Sequence, residues 1–327
     1  MAAGALRGGI DLGGTKIQAI IADDQHTVLG QARRPTPTEG GPADVVAAVE
    51  DGLREAAEQA GIAPSDLAGV GIGAPGAIDE AAGTLARAGN LPGFKDAYPV
   101  GPELSELLGT PIWLGNDVQV ATDAEFTFGA AREFSSLLGV FWGTGVGGGI
   151  VLDGKPWNGR GAAGEIGHVV VKRGGARCPC GRRGCMEAYA GRRTLEARAR
   201  KLVDEEGART VLFKIMEEKG RDRLTSGIWA RAVERGDELA ISLLEDAVDA
   251  IGVAVASACN ILDVEAVIIG GGLGVRFGQP YALRIEAAML PHLFADDRPP
   301  VVRVAELGDL GGALGAALLV AADRAAR

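Results

Sequence analysis

The 327 residues carry 33 Lys and Arg against 43 Asp and Glu, a formal net charge of −10, and 47% of them are hydrophobic. That apolar content supports a sizeable core and excludes a disordered chain. The acidic balance excludes nucleic acid as a main partner, because phosphate backbones are bound by basic faces, so any phosphate site here must be made locally, from backbone N–H groups and a metal. In chain order, two short apolar runs at 6–10 and 17–22 flank Asp11-Leu12-Gly13-Gly14-Thr15-Lys16, a pattern that predicts a β-hairpin closed by a glycine turn. Val45, Val46, Val49, Leu53, Ala56 and Ala57 recur at helical spacing and predict a helix over 43–60 that ends at Gly61. A strand over 70–72 runs into Gly73-Ala74-Pro75-Gly76. Another over 112–114 runs into Gly115-Asn116-Asp117, with a helix expected from there through Glu125.

The opening pattern then returns. A strand over 137–142, a glycine turn over 143–149 and a return strand over 150–152 make a second hairpin, and the recurrence suggests a duplicated lobe. The charge-free stretch 134–152 is long enough to span a membrane, but its glycines argue for strand, loop, strand. Residues 191–260 are expected to be mostly helical, with an apolar stripe of Leu243, Leu244, Val248, Ile251 and Val255. A buried-type strand over 267–269 enters Gly270-Gly271-Gly272, and an Ala- and Leu-rich helix follows from Leu310. The sum is an α/β protein with several glycine loops. Asp11, Gly13 and Gly14 precede any apolar run of signal-peptide length, so a cytoplasmic protein is expected.

Each glycine loop admits two readings. At Asp11 to Lys16, the glycines would let backbone N–H groups approach phosphate oxygens, with Asp11 holding Mg²⁺ through water; or the segment is a tight turn. Thr144 to Gly149 holds more glycine than a hairpin needs, which favours a second phosphate loop over a bulged corner. Gly270-Gly271-Gly272 suits close approach of a nucleoside, or is a plain strand-to-helix turn. Asn116-Asp117 lies past an apolar strand, where open α/β sheets bind ligands. There Asp117 could take a proton as a general base, or the pair could cap a helix.

Cysteines stand only at 178, 180, 185 and 259. Three within so short a segment are no disulfide framework, and with His168 they complete a tetrahedral zinc set. Four protein ligands leave no open position, so the zinc is structural. Glu165 and Glu187 frame this loop and could hold sugar hydroxyls, which need acceptors fixed in direction. His26 and His292 show no partners and read as surface residues, Cys259 as a core residue, and the basic cluster over 192–201 as a solvated helix face.

At these residues the chain resembles the ROK family of sugar kinases and repressors, and within it the bacterial glucokinases. The resemblance spans essentially the whole sequence. It is carried by Asp11-Leu12-Gly13-Gly14-Thr15-Lys16, Gly71-Ile72-Gly73-Ala74-Pro75-Gly76, Asn116-Asp117 with Glu125, Thr144 through Gly149, Gly164-Glu165-Ile166-Gly167-His168, and Cys178-Pro179-Cys180-Gly181 with Gly184-Cys185-Met186-Glu187. It implies an actin-like, ribonuclease-H-like fold of two similar lobes closing on the substrates, the smaller formed by 1–115 and 311–327 and the larger by 116–310.

The resemblance also implies that Asp117 is the catalytic base for ATP-dependent phosphorylation of glucose. The sugar would be held by Asn116, Asp117, Glu165, His168 and Glu187, with the Gly76 backbone and Asn90. Gly13, Gly14, Thr15 and Lys16, with Thr144 and Gly145, would serve the ATP phosphates, and Gly270, Gly271 and Gly272 the nucleoside. His168 would ligate zinc through one ring nitrogen and meet the sugar through the other. A homodimer or homotetramer is implied. Kinases for N-acetylmannosamine, N-acetylglucosamine, fructose or mannose share these motifs, some relatives use polyphosphate, and a non-catalytic sugar sensor is the remaining alternative. With the glycine hairpin opening at residue 11, a repressor with an N-terminal helix-turn-helix is not the expected reading.

Overall fold

The computed structural model describes residues 5–320. Strands β1 (Arg7–Leu12) and β2 (Lys16–Ala22) form the expected antiparallel hairpin, and β3 (Val28–Pro35) pairs along the outer side of β2. Helix α1 (Pro42–Gln59) buries all six apolar residues whose spacing predicts it. Strand β4 (Gly69–Ala74) is buried throughout and runs parallel to β1, as befits a central strand covered on both faces. A short ribbon of β5 (Ala77–Asp79) and β6 (Thr84–Ala86) and helix α2 (Val100–Leu108) follow. Strand β7 (Ile112–Asn116) then joins β4 in parallel and leads straight into α3 (Asp117–Thr127). The sheet order is β3-β2-β1-β4-β7.

The next elements repeat this plan. Strands β8 (Leu137–Trp142) and β9 (Val146–Leu152) form the second hairpin, with β10 (Lys155–Pro156) antiparallel on its outer side. A helical stretch comes next: α4 (Glu187–Ala190), α5 (Arg192–Glu206), α6 (Leu212–Glu218), α7 (Ser226–Glu234) and α8 (Glu238–Leu262). Strand β11 (Ala266–Gly270) pairs parallel with β8, helix α9 (Gly271–Met289) follows, and β12 (Val301–Val304) pairs parallel with β11. The order β10-β9-β8-β11-β12 has the directions of the first sheet, so the duplication inferred from two glycine hairpins is a duplication of topology. Helix α10 (Gly311–Ala317) returns to pack on α3 and β1. The expected C-terminal helix therefore begins where foreseen, and 321–327 lie outside the described residues.

Two compact units result. One runs to Gly129 and takes in Asn158–Gly161 and the segment from Glu306 on; the other comprises Ala130–Trp157 and Ala162–Ala305. The division thus falls after α3 and not at the 115/116 boundary expected from sequence. The reason is packing: α3 lies against α10, β4 and β7, and Glu125 accepts hydrogen bonds from the backbone of Glu306 and Leu307 at 3.1 and 2.9 Å. Each unit has its own core. Ile10, Ile17, Val49, Leu53, Ile72 and Leu104 are fully buried in the first, and Trp142, Trp229, Leu244, Ile251, Ile269 and Leu273 in the second. The predicted stripe on α8 is buried along its whole length, and Cys259 is buried with it.

Three sequence expectations need correction. The second glycine turn is only Gly143-Thr144-Gly145, since Gly147 to Gly149 belong to strand β9. His26 is not partnerless, because its ring packs on Phe128 with centroids 4.5 Å apart. The basic residues over 192–201 are a solvated face only in part: Arg193, Arg200 and Lys201 are exposed, whereas Arg192 is half-buried and bonded to Leu224 O and Thr144 Oγ1.

Candidate functional site

In the first unit the chemistry gathers at the carboxyl ends of three parallel strands. Asp11 on β1 pairs in register with Gly73 on β4, and Gly73 pairs with Gly115 on β7, one residue before Asn116. This is where open α/β sheets place ligands. The hairpin turn after Asp11 is closed by Gly13 N–H donating to Lys16 O at 2.9 Å, and the Thr36 hydroxyl braces it by donating to Gly13 O at 2.6 Å. Asn90 lies directly on this turn: a Cβ on Gly14 would fall 2.9 Å from the Asn90 amide nitrogen. Two residues predicted for different substrates are thus brought together. Gly76, on the loop after β4, has φ +96°, and a side chain there would meet the Ala86 carbonyl at 2.6 Å. Only glycine gives the backbone this close approach.

Asp11 is packed against the start of α10, where a Cβ on Gly312 would come within 2.8 Å of its carboxyl carbon. Burial raises the Asp11 carboxyl above its ordinary value, while Lys16 pulls it down. Lys16 itself donates to Asp309 at 3.0 Å, and Arg33 donates to the other oxygen of Asp309 at 3.0 Å. The Lys16 hydrogen bond holds the Asp309 carboxyl below its usual range. Sequence reading missed Gly312 and Asp309, since both lie far along the chain and only the return of α10 brings them here.

Asn116 and Asp117 take successive positions at the start of α3. The Asn116 side chain is the helix cap, accepting from the N–H groups of Val118 and Gln119 at 3.1 Å each. Asp117 takes the first helical position, with one carboxylate oxygen accepting from Val118 N–H at 2.9 Å. The backbone thereby fixes the direction of the other oxygen.

In the second unit the turn Gly143-Thr144-Gly145 is closed by Gly143 N–H donating to Gly145 O at 2.9 Å. It lies beside the third glycine loop, for a Cβ on Gly143 would be 3.7 Å from Gly272 N, and Gly270 is in register with Phe141. Gly271, with φ +78°, begins α9. Glu187 forms the link to the cysteine segment. One of its oxygens accepts from Val146 N–H at 2.9 Å, and the other lies 3.8 Å from Cys178 Sγ. It is therefore partly buried and bonded, not a surface acid.

The four predicted metal ligands converge. One donor atom each from His168, Cys178, Cys180 and Cys185 lie within 4.8 Å of one another. Cys180 and Cys185 sulfurs are 3.8 Å apart, as are Cys178 Sγ and His168 Nδ1. A tetrahedron with Zn–S bonds of about 2.3 Å has edges of about 3.8 Å, so the donor set fits zinc. Burial pushes the Cys178 thiol up to about 12 and raises that of Cys185; a dication is what offsets the cost of three thiolates in one place. His168 turns Nδ1 to the thiols and Nε2 outward, 3.8 Å from Glu165 Oε2. The two ring nitrogens thus face different surroundings, as a dual role requires.

Known proteins are similar to this chain over nearly its whole length. The chain is 32% identical to a glucokinase of Halalkalibacterium halodurans over 95% of its own length and 94% of that protein's. It is also 32% identical to an N-acetylmannosamine kinase of Citrobacter koseri, over 96% and 98% of the two chains. Among solved structures, a ROK hexokinase from Thermus thermophilus superposes with TM-score 0.77 at 33% identity, over 96% of this chain and 97% of that one. A ROK family glucokinase from Streptomyces griseus in complex with glucose and AMPPNP gives TM-score 0.79 at 31% identity, over 96% and 99%. The shared fold is the actin-like α/β fold. The family model itself matches residues 7–323, from the first residue of β1 past the end of α10, and so takes in both glycine hairpins and the His-Cys cluster: the chain belongs to the ROK family.

Proposed function

We propose that this chain transfers the γ-phosphoryl group of ATP to the 6-hydroxyl of glucose, giving glucose 6-phosphate and ADP. The observation that carries the reading is the likeness, over 96% of the chain, to the S. griseus glucokinase in complex with glucose and AMPPNP. In this reading Asp117 accepts the proton of the attacking hydroxyl, a step that contributes on the order of 10²–10⁴-fold. Its oxygen bonded to Val118 N–H is fixed, which orients the other as acceptor. Gly76, Asn90, Asn116, Glu165, His168 and Glu187 are assigned to the sugar. Gly13 to Lys16, Thr144, Gly145 and Gly270 to Gly272 are assigned to the nucleotide. Asp11 would hold Mg²⁺ through water, and the ion supplies charge neutralisation of the triphosphate. His168, Cys178, Cys180 and Cys185 would hold a structural zinc that keeps the His168 ring oriented. The protein is read as cytoplasmic and as a homodimer or homotetramer; no helix among the described residues is long and apolar enough to cross a membrane.

The C. koseri relative favours a second reading, an N-acetylhexosamine kinase, because it is as similar to this chain as the H. halodurans glucokinase is. ADP release with MgATP and a panel of glucose, mannose, fructose, N-acetylglucosamine and N-acetylmannosamine separates the two. Turnover on glucose above all others is expected, and preference for an N-acetyl sugar would replace the substrate while leaving the chemistry in place. Asp117→Asn is expected to keep zinc and fold while losing at least a hundredfold in kcat. Near-normal turnover in that variant would remove Asp117 from the base role.

A further inference from the structure

The hairpin Gly143-Thr144-Gly145 is held from behind by the first residues of α5. Arg192 N–H donates to Gly143 O at 3.0 Å and Arg193 N–H to Thr144 O at 3.1 Å. In a planar trans peptide the N–H points opposite to the C=O. With both carbonyls turned to α5, the N–H groups of Thr144 and Gly145 are directed away from it. The Arg192 side chain makes two further bonds, to Leu224 O at 2.9 Å and to Thr144 Oγ1 at 2.9 Å. One helical turn on, Glu196 accepts from Leu224 N–H at 3.0 Å, so both polar groups of Leu224 are clamped by α5 and the guanidinium has a fixed seat.

A guanidinium can only donate. Thr144 Oγ1 must therefore spend a lone pair on Arg192, and its own hydrogen is left to donate elsewhere. Thr144 is exposed, whereas Arg192 is partly buried beneath it. The result is two backbone N–H groups directed away from α5 and an exposed hydroxyl whose hydrogen must donate elsewhere, backed by a fixed positive charge, which is the chemistry that recognises a phosphate oxygen.

We propose that Arg192 is a positioning residue for phosphate binding, acting through Thr144: it turns the Thr144 hydroxyl into an obligate donor to a nucleotide phosphate. This rests on the reading of 143–145 as a phosphate hairpin. The test is steady-state kinetics with MgATP varied at saturating sugar for Thr144→Val, Thr144→Ser, Arg192→Met and the double variant Arg192→Met/Thr144→Val. Thr144→Val and Arg192→Met are each expected to raise the KM for ATP about tenfold, the usual effect of losing a hydrogen bond to a charged group, with the KM for sugar unchanged. The double variant should be no worse than Thr144→Val alone, and Thr144→Ser, which restores the hydroxyl, should recover most of the KM for ATP lost in Thr144→Val. Multiplicative losses in the double variant overturn the proposal, as does a normal KM for ATP in Arg192→Met when Thr144→Val is impaired. A normal KM in Thr144→Val instead overturns the phosphate reading of the hairpin, on which the proposal stands. If Arg192→Met does not fold, as judged by melting and zinc content, Arg192→Ala, which also removes the donor to Thr144, takes its place in the same cycle, with the same outcomes deciding.

Discussion

Asp11 is held in place at a cost to the fold. Burial against α10 raises its carboxyl above the ordinary 3.8. An acid raised on folding binds its proton more tightly in the native state, so its contribution to stability is fully present below 3.8 and lost as pH rises through the higher folded value. At neutral pH the charged, partly desolvated carboxylate therefore opposes folding. Asp11→Asn, which keeps the shape and removes the charge, is expected to raise the melting temperature at pH 7.5 by a few degrees, the shift that about 1 kcal/mol gives in a chain of this size. The gain should shrink as the pH is lowered towards 4, while use of MgATP is lost at every pH. A melting temperature unchanged at pH 7.5 would mean that Lys16 fully compensates the burial.

At the scale of elements, glycine excess turns out to have two causes that sequence spacing cannot separate. Gly143 and Gly145 serve the turn. Gly148, within β9, serves packing: a Cβ there would lie 2.7 Å from Gly164 O, 2.8 Å from Ile166 Cγ2 and 2.9 Å from Gly139 O. The close approach seats the segment that carries Glu165 and His168 on β9. Gly148→Ala is accordingly expected to cost about 1–3 kcal/mol, the range for overpacking. Because the displaced segment bears a zinc ligand, bound zinc should fall along with the melting temperature; full zinc content in a destabilised Gly148→Ala would confine the effect to the strand. The elements that sequence did reveal are those with strong periodicity or pure apolar content, such as α1, α8, β8 and β11. Strand β3 escaped because its exposed residues alternate as Leu29, Gln31 and Arg33 along an edge, and β12 because it is only four residues long. The candidate metal ligands were readable because three of them share one short segment. Gly312, Asp309 and Arg192 were not, since no local pattern marks a residue whose partner is supplied by a distant turn.

At the scale of the whole molecule, one topology built twice has been given different additions. Both sheets begin with a glycine hairpin and continue with parallel strands, but only the second unit inserts the His-Cys segment and the run of helices α4 to α8. Each unit also closes a core of its own. The zinc is therefore expected to support one unit and not the other. Within that unit its influence has a route: the Glu187 carboxylate spans from Cys178 to the N–H of Val146, at the root of the second glycine hairpin. Hydrogen exchange before and after chelation tests both statements. Loss of zinc should speed exchange over 165–190 and at 143–146, and leave β1, β2 and β4 as protected as before. Faster exchange through β1 and β4 as well would show that the cores do not open independently. Change confined to 165–190 would show that Glu187 does not carry the effect of the metal to the hairpin, and zinc would then bear on the segment of Glu165 and His168 alone.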